Sequence, residues 1–89
     1  MAYVLMKLMV ADYATWRGMF DSMQADSQTY GGATSRVFQN TSNPNEVFVL
    51  REWEDAERAA AFFASPELRI AQQKAGVQGK PTVYYLSEV

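Results

Sequence analysis

Few side chains in this 89-residue sequence can do chemistry, and most lie inside apolar runs. Lys7 is a lone charge among Tyr3, Leu5 and Met9. Arg36 precedes Val37-Phe38, Arg51 follows Val47-Phe48-Val49-Leu50, Trp53 stands two residues on, and Tyr84-Tyr85 lies within the chain's last apolar run. A cation among apolar groups can meet an acidic or phenolic oxygen, and an aromatic ring can stack on a flat ligand. Lys7, Arg36, Arg51, Trp53 and Tyr84 are therefore the candidate ligand-binding residues. Each has a plainer reading. Lys7 can be a strand-edge lysine in solvent, and Arg36 and Arg51 can pair with Glu46 and Glu52 across a hairpin. Trp53 can be core or dimer packing. Tyr84 and Tyr85 alternate, so one of them can face any cavity, its hydroxyl seeking a partner.

Much chemistry is excluded by composition. With no histidine and no cysteine, an ordinary zinc or haem-iron site lacks its ligands, and no base stands ready to activate a serine or threonine. Glu52-x-Glu54-Asp55 is the densest acidic group. It reads either as a hard-cation site or as a solvated strand-to-helix junction with Asp55 as cap, and the junction is the expectation. Gly31-Gly32 and Gly76-x-x-Gly79 follow helices, whereas a phosphate loop precedes one. No metal and no cofactor are expected. Eight basic and ten acidic residues are scattered, leaving no basic cluster for nucleic acid. No run approaches the roughly 20 apolar residues of a membrane span, and the start, Met1 to Lys7, has no signal-peptide pattern. The lack of cysteine adds to an expectation of a cytoplasmic protein.

The elements that must position these residues follow from pattern. Tyr3 to Val10 reads as a strand with both faces largely apolar. Asp12 caps a helix bearing Tyr13, Trp16, Met19, Phe20 and Met23 at helical spacing, with Trp16 in the core and Gly31-Gly32 as the stop. Ala33 to Asn40 and Glu46 to Trp53 read as two strands joined by the turn-rich Thr41-Ser42-Asn43-Pro44-Asn45 into an antiparallel hairpin. Asp55 caps a second helix, with Ala56, Ala59, Ala60 and Phe63 on its apolar side. Ser65-Pro66 either kinks it or starts a fresh helix to Ala75. Gly76 stops that helix, and Thr82 to Leu86 is the last strand.

This order makes one domain, residues 1–89, of the α+β class. It is a ferredoxin-like β-α-β-β-α-β arrangement with a four-stranded antiparallel sheet. Right-handed crossovers put the helices on one face. The other face is left bare and apolar, and a second copy of the chain would cover it, giving a homodimeric α/β barrel. Nearly half the residues are apolar, more than a small monomer easily hides.

Several segments carry a family resemblance: Asp12-Tyr13-x-x-Trp16-x-x-x-Phe20-Asp21, Asn43-Pro44-Asn45-Glu46-Val47, Glu52-Trp53-Glu54-Asp55, Phe63-Ala64-Ser65-Pro66-Glu67-Leu68 and Ala75-Gly76-Val77-x-Gly79-x-Pro81. Across nearly the whole chain the sequence resembles the small cyclase-like proteins of the dimeric α/β-barrel superfamily, relatives of the antibiotic-biosynthesis monooxygenases. The resemblance implies cofactor-independent oxygenation of electron-rich aromatics, in which the substrate supplies the electrons. It departs in one respect: close members often carry a histidine near the position of Leu8. Related haem-degrading enzymes use a tryptophan and a histidine where alignment places Phe62 and Gln72, which disfavours haem degradation. The expected function is binding of a small apolar or aromatic molecule between the sheets, with monooxygenase-like or cyclase-like chemistry. The alternative is a non-catalytic dimeric module that binds, senses or scaffolds. A cavity with convergent polar groups would separate the first from the second.

Overall fold

A computed structural model describes residues 2–23 and 32–89. Its elements run β1 (Ala2–Val10), α1 (Tyr13–Ser22), β2 (Gly32–Asn40), β3 (Asn43–Trp53), α2 (Ala56–Phe63), α3 (Pro66–Lys74) and β4 (Val77–Leu86). The strands form one sheet in the order β2-β3-β1-β4, with every neighbouring pair antiparallel. This is the ferredoxin-like fold expected from the sequence.

Local chemistry accounts for the helix starts. Asp12 accepts from the Thr15 amide at 2.9 Å and Asp55 from the Arg58 amide at 2.8 Å, each satisfying a donor that the first helical turn leaves orphaned. The Thr15 hydroxyl and amide bonds hold the Asp12 carboxyl below its ordinary pKa. Ser65 caps α3 at Leu68, and Pro66 sits where its missing N–H costs nothing. The Ser65-Pro66 pair therefore begins a fresh helix.

Alternation along β1 and β3 divides the sheet into two unlike faces. Val4, Met6, Leu8 and Val10 are buried together with Val47, Val49, Arg51 and Trp53 under the helices. Pairings such as Met6 with Val49 and Leu8 with Val47 lock that register. One core cluster joins Met6, Leu8, Val10, Val47 and Val49 to Trp16 and Ala75. A second joins Val4, Trp53, Ala59 and Phe62. The opposite face pairs Leu5 with Leu50 and Tyr84, and Phe38 with Phe48. Among the described residues no helix covers it.

Four sequence readings change. Helix α1 ends at Ser22 with Met23 as its C-cap, and Gly32 already belongs to β2; Gly31 lies outside the described residues. Strand β3 starts at Asn43 because Asn43 pairs with Asn40 across a tight turn at Thr41-Ser42, where Ser42 donates to Asn40 Oδ1 at 2.8 Å. In α2 the buried residues are Ala59 and Phe62, while Ala60 is exposed. Strand β4 begins at Val77, opposite Val10. Gly79 and Pro81, which the sequence reading left ahead of the last strand, sit within β4 where the β1–β4 register shifts, on an edge strand that tolerates them.

Candidate binding cavity

Between the sheet and the three described helices lies a largely apolar cavity of about 50 Å³ that opens to solvent. Val4, Met6, Val49 and Arg51 form the floor on the sheet, and Trp16, Met19, Phe20 and Met23 of the α1 region form one wall. Phe62 and Phe63 of α2 and Leu68, Ala71 and Gln72 of α3 form the other. The helical spacing of the α1 residues puts them on one face, and the β3 pleat aims Arg51 at the same space.

Among the described residues lining this cavity, Arg51 is the charged one. It is 6 % exposed, and burial pushes its guanidinium below the ordinary arginine pKa. It is held between two rings, with Cζ 5.8 Å from the Phe20 centroid and 5.7 Å from the Trp53 centroid. Aromatic faces attract cations, so the rings offset part of the desolvation and fix where the charge points. Gln72 supplies the cavity's amide. Among the described lining residues there is no carboxylate and no imidazole. The arrangement can bind a flat apolar body, stack it on aromatic and thioether groups, and answer one anionic oxygen.

The sequence candidates separate onto opposite sides of the sheet. Arg51 lines the cavity, and Trp53 stands behind it, fully buried, packed on Phe62 and Phe63 at 5.4 and 5.8 Å between ring centroids. Trp53 is therefore core that supports Arg51, and its Nε1 has no hydrogen-bond partner among the described residues.

Lys7, Arg36 and Tyr84 lie on the open face instead. Lys7 Nζ is 3.5 Å from Glu46, whose pKa is lowered first by the Asn40 amide and then by Lys7. Arg36 packs over the Phe38 ring at 5.3 Å, and Tyr84 is half exposed. Glu52 accepts from the Tyr3 hydroxyl, raising the tyrosine's pKa. The expected arginine pairing across the hairpin is thus replaced at Glu46 by Lys7, which sits closer through the Met9–Glu46 register. Glu54 and Asp55 both meet Arg58, so the acidic junction serves the start of α2.

Sequence reasoning missed Met19, Met23, Phe20 and Ala71 as cavity residues. Their helical spacing was visible, but spacing alone does not distinguish a wall from a filled core. Phe62 and Gln72, marked only by comparison with haem-degrading relatives, do line the cavity.

Residues 20–74 match the family described as antibiotic biosynthesis monooxygenase. A comparison with curated protein sequences gives no match. Among solved structures, an antibiotic biosynthesis monooxygenase superposes with a TM-score of 0.75 at 14% identity, covering 100% of this chain and 99% of that one. SnoaB, a cofactor-independent oxygenase from Streptomyces nogalater, gives 0.74 at 12% identity, covering 99% and 94%. A conserved protein from Methanosarcina mazei Go1 gives 0.76 at 15% identity, covering 99% and 92%. These likenesses establish the fold, and the family match spans more than half of the sequence: the chain belongs to the antibiotic biosynthesis monooxygenase family.

Proposed function

We propose that this chain is a one-domain, cytoplasmic homodimer that takes a planar, acidic aromatic molecule into the cavity between sheet and helices and oxygenates it without a cofactor. The observation that carries the reading is the place of Arg51: a buried guanidinium against the Phe20 and Trp53 rings, at the floor of a cavity whose described lining is mostly apolar. A guanidinium there favours a substrate as its phenolate or enolate, the electron-rich form that reacts with dioxygen. The apolar walls exclude water from that anion. In such a reaction a ring methylene gives up two hydrogens and gains one oxygen atom of O₂, and the second oxygen leaves as water. The family and the likeness to a cofactor-independent oxygenase support this class of chemistry.

The bare sheet face supports the homodimer. Phe38, Tyr84 and Leu86 are 44, 50 and 43 % exposed there, beside Leu5, Phe48 and Leu50. A twin's sheet would cover these side chains, leaving the cavity of each protomer open on the helical side.

The test pairs binding with turnover. Danthron, a dihydroxyanthraquinone, is expected to raise the melting temperature, and anthrone is expected to drive oxygen uptake under air. A melting shift without uptake would make the chain the non-catalytic binding module. Neither response would sink the proposal.

A further inference from the structure

The chain holds no cysteine, so its reaction with peroxides falls to thioethers rather than thiols. Of its five methionines, Met6, Met19 and Met23 line the cavity. They are not equally reachable. Met6 stands on the sheet floor and is 8 % exposed, whereas Met19 and Met23 are half-buried on the wall of a cavity that opens to solvent. Four residues separate Met19 from Met23, so the two share one face of α1, one turn apart.

The end of α1 holds this pair in place. The Met19 carbonyl accepts from the Ser22 hydroxyl at 2.7 Å and from the Met23 amide at 3.1 Å, which closes the last turn. The pair also touches both halves of the core. Met19 packs against the cluster that contains Trp16, and Met23 against the cluster of Val4, Trp53, Ala59 and Phe62. A change of polarity at either sulfur therefore reaches the packing of the domain.

We propose that Met19 and Met23 form a reversible oxidation site, at which a hydroperoxide converts the cavity wall to sulfoxide and loosens the fold around it. A sulfur lone pair attacks the terminal oxygen of the hydroperoxide. The S–O bond forms as the O–O bond breaks, and the departing oxygen keeps the proton as an alcohol, or as water from hydrogen peroxide. Sulfur loses two electrons and the peroxide gains them. The new oxygen is a polar acceptor among mostly apolar groups, and without a donor there it costs stability. Reduction reverses the step: the oxygen leaves as water while two thiols of a reductant become a disulfide. The inference holds whatever molecule the cavity takes.

The test exposes the purified full chain to hydrogen peroxide, follows each methionine by peptide mass mapping, and reads the melting temperature on the same samples. Met19 and Met23 are expected to gain oxygen first, on the order of tenfold faster than Met6, because access sets the rate. The melting temperature is expected to fall by about 5–10 °C, the scale of one unsatisfied buried acceptor in a domain of this length. Treatment with the two methionine sulfoxide reductases, one for each sulfoxide epimer, is expected to restore it. The M19L/M23L double variant conserves side-chain bulk. Its melting temperature is expected to be unchanged by the same peroxide dose, although Met6 and Met9 remain. Oxidation of Met6 as fast as Met19 and Met23 overturns the site, and this mapping on the wild-type chain decides the matter even if the double variant does not fold. A fall in the double variant equal to that of the wild type overturns it too. Oxidation of the pair with no fall in melting temperature, or a fall that the reductases do not reverse, overturns the reversible loosening.

Discussion

Filling the cavity should separate its role from that of the core around it. Ala71 lines the cavity from α3 and is partly exposed toward it. Ala71→Leu adds three carbons to a space that the wild-type chain leaves empty. At about 0.8 kcal/mol per buried carbon, the gain is about 2.4 kcal/mol. Rotamer entropy removes about 0.7 kcal/mol, and the lower helix propensity of leucine about 0.2 kcal/mol. The net is a stabilisation of about 1.5 kcal/mol. For a domain of this length that raises the melting temperature by about 6–12 °C. The same methyl groups occupy ligand volume, so the danthron-induced shift should vanish. Differential scanning calorimetry with and without danthron reads both quantities on one sample. A variant that is less stable and still binds would refute the reasoning, because the space at Ala71 would then be neither empty nor the ligand's.

Other substitutions test the remaining assignments. Arg51→Met should weaken danthron binding by about ten- to a hundredfold, the scale of a charge-assisted hydrogen bond, whereas Lys7→Met, on the opposite face, should leave it unchanged; equal effects in titration calorimetry would overturn the two-face assignment. Leu5→Glu puts a carboxylate in the middle of the bare face and should yield a monomer by light scattering at micromolar concentration, and an unaltered dimer would place the interface elsewhere. Asp12 and Glu46 have folded-state pKa values below their ordinary ones. Their contribution is therefore present above the ordinary carboxylate range and lost as pH falls through the lowered values. The D12N/E46Q variant should show a shallower loss of stability on acidification below about pH 4.5, and identical acid transitions would contradict the assignment.

Much of the fold was legible because its signals are local. Caps at Asp12, Asp55 and Ser65 mark helix starts, and the two-faced run of β1 marks a central strand. The misread boundaries at Asn43 and Val77 depend on pairing across the sheet: Asn40 recruits Asn43, and β1 recruits Val77 despite the glycine and proline that follow. The site was legible as residue types but not as a place. Arg51 shares strand parity with Val47, Val49 and Trp53, while Glu46 and Glu52 share parity with Phe48 and Leu50. Two carboxylates on one face mark it as the wetter one, a signal present in the sequence that points Arg51 away from Lys7. The cavity itself has no local signature, because it is the volume left among one sheet and three helices.

Three methionines in the cavity wall, Met6, Met19 and Met23, bear on what the protein can tell apart. Each is an unbranched thioether with three rotatable bonds, able to re-pack around differing outlines. A wall of that kind enforces shape weakly. Across a series of ring systems of equal charge, affinity should change little as ring edges are extended or methylated. Removing the ionisable oxygen from any one of them should abolish most of it. Selection among congeners would then be made by acidity rather than by contour.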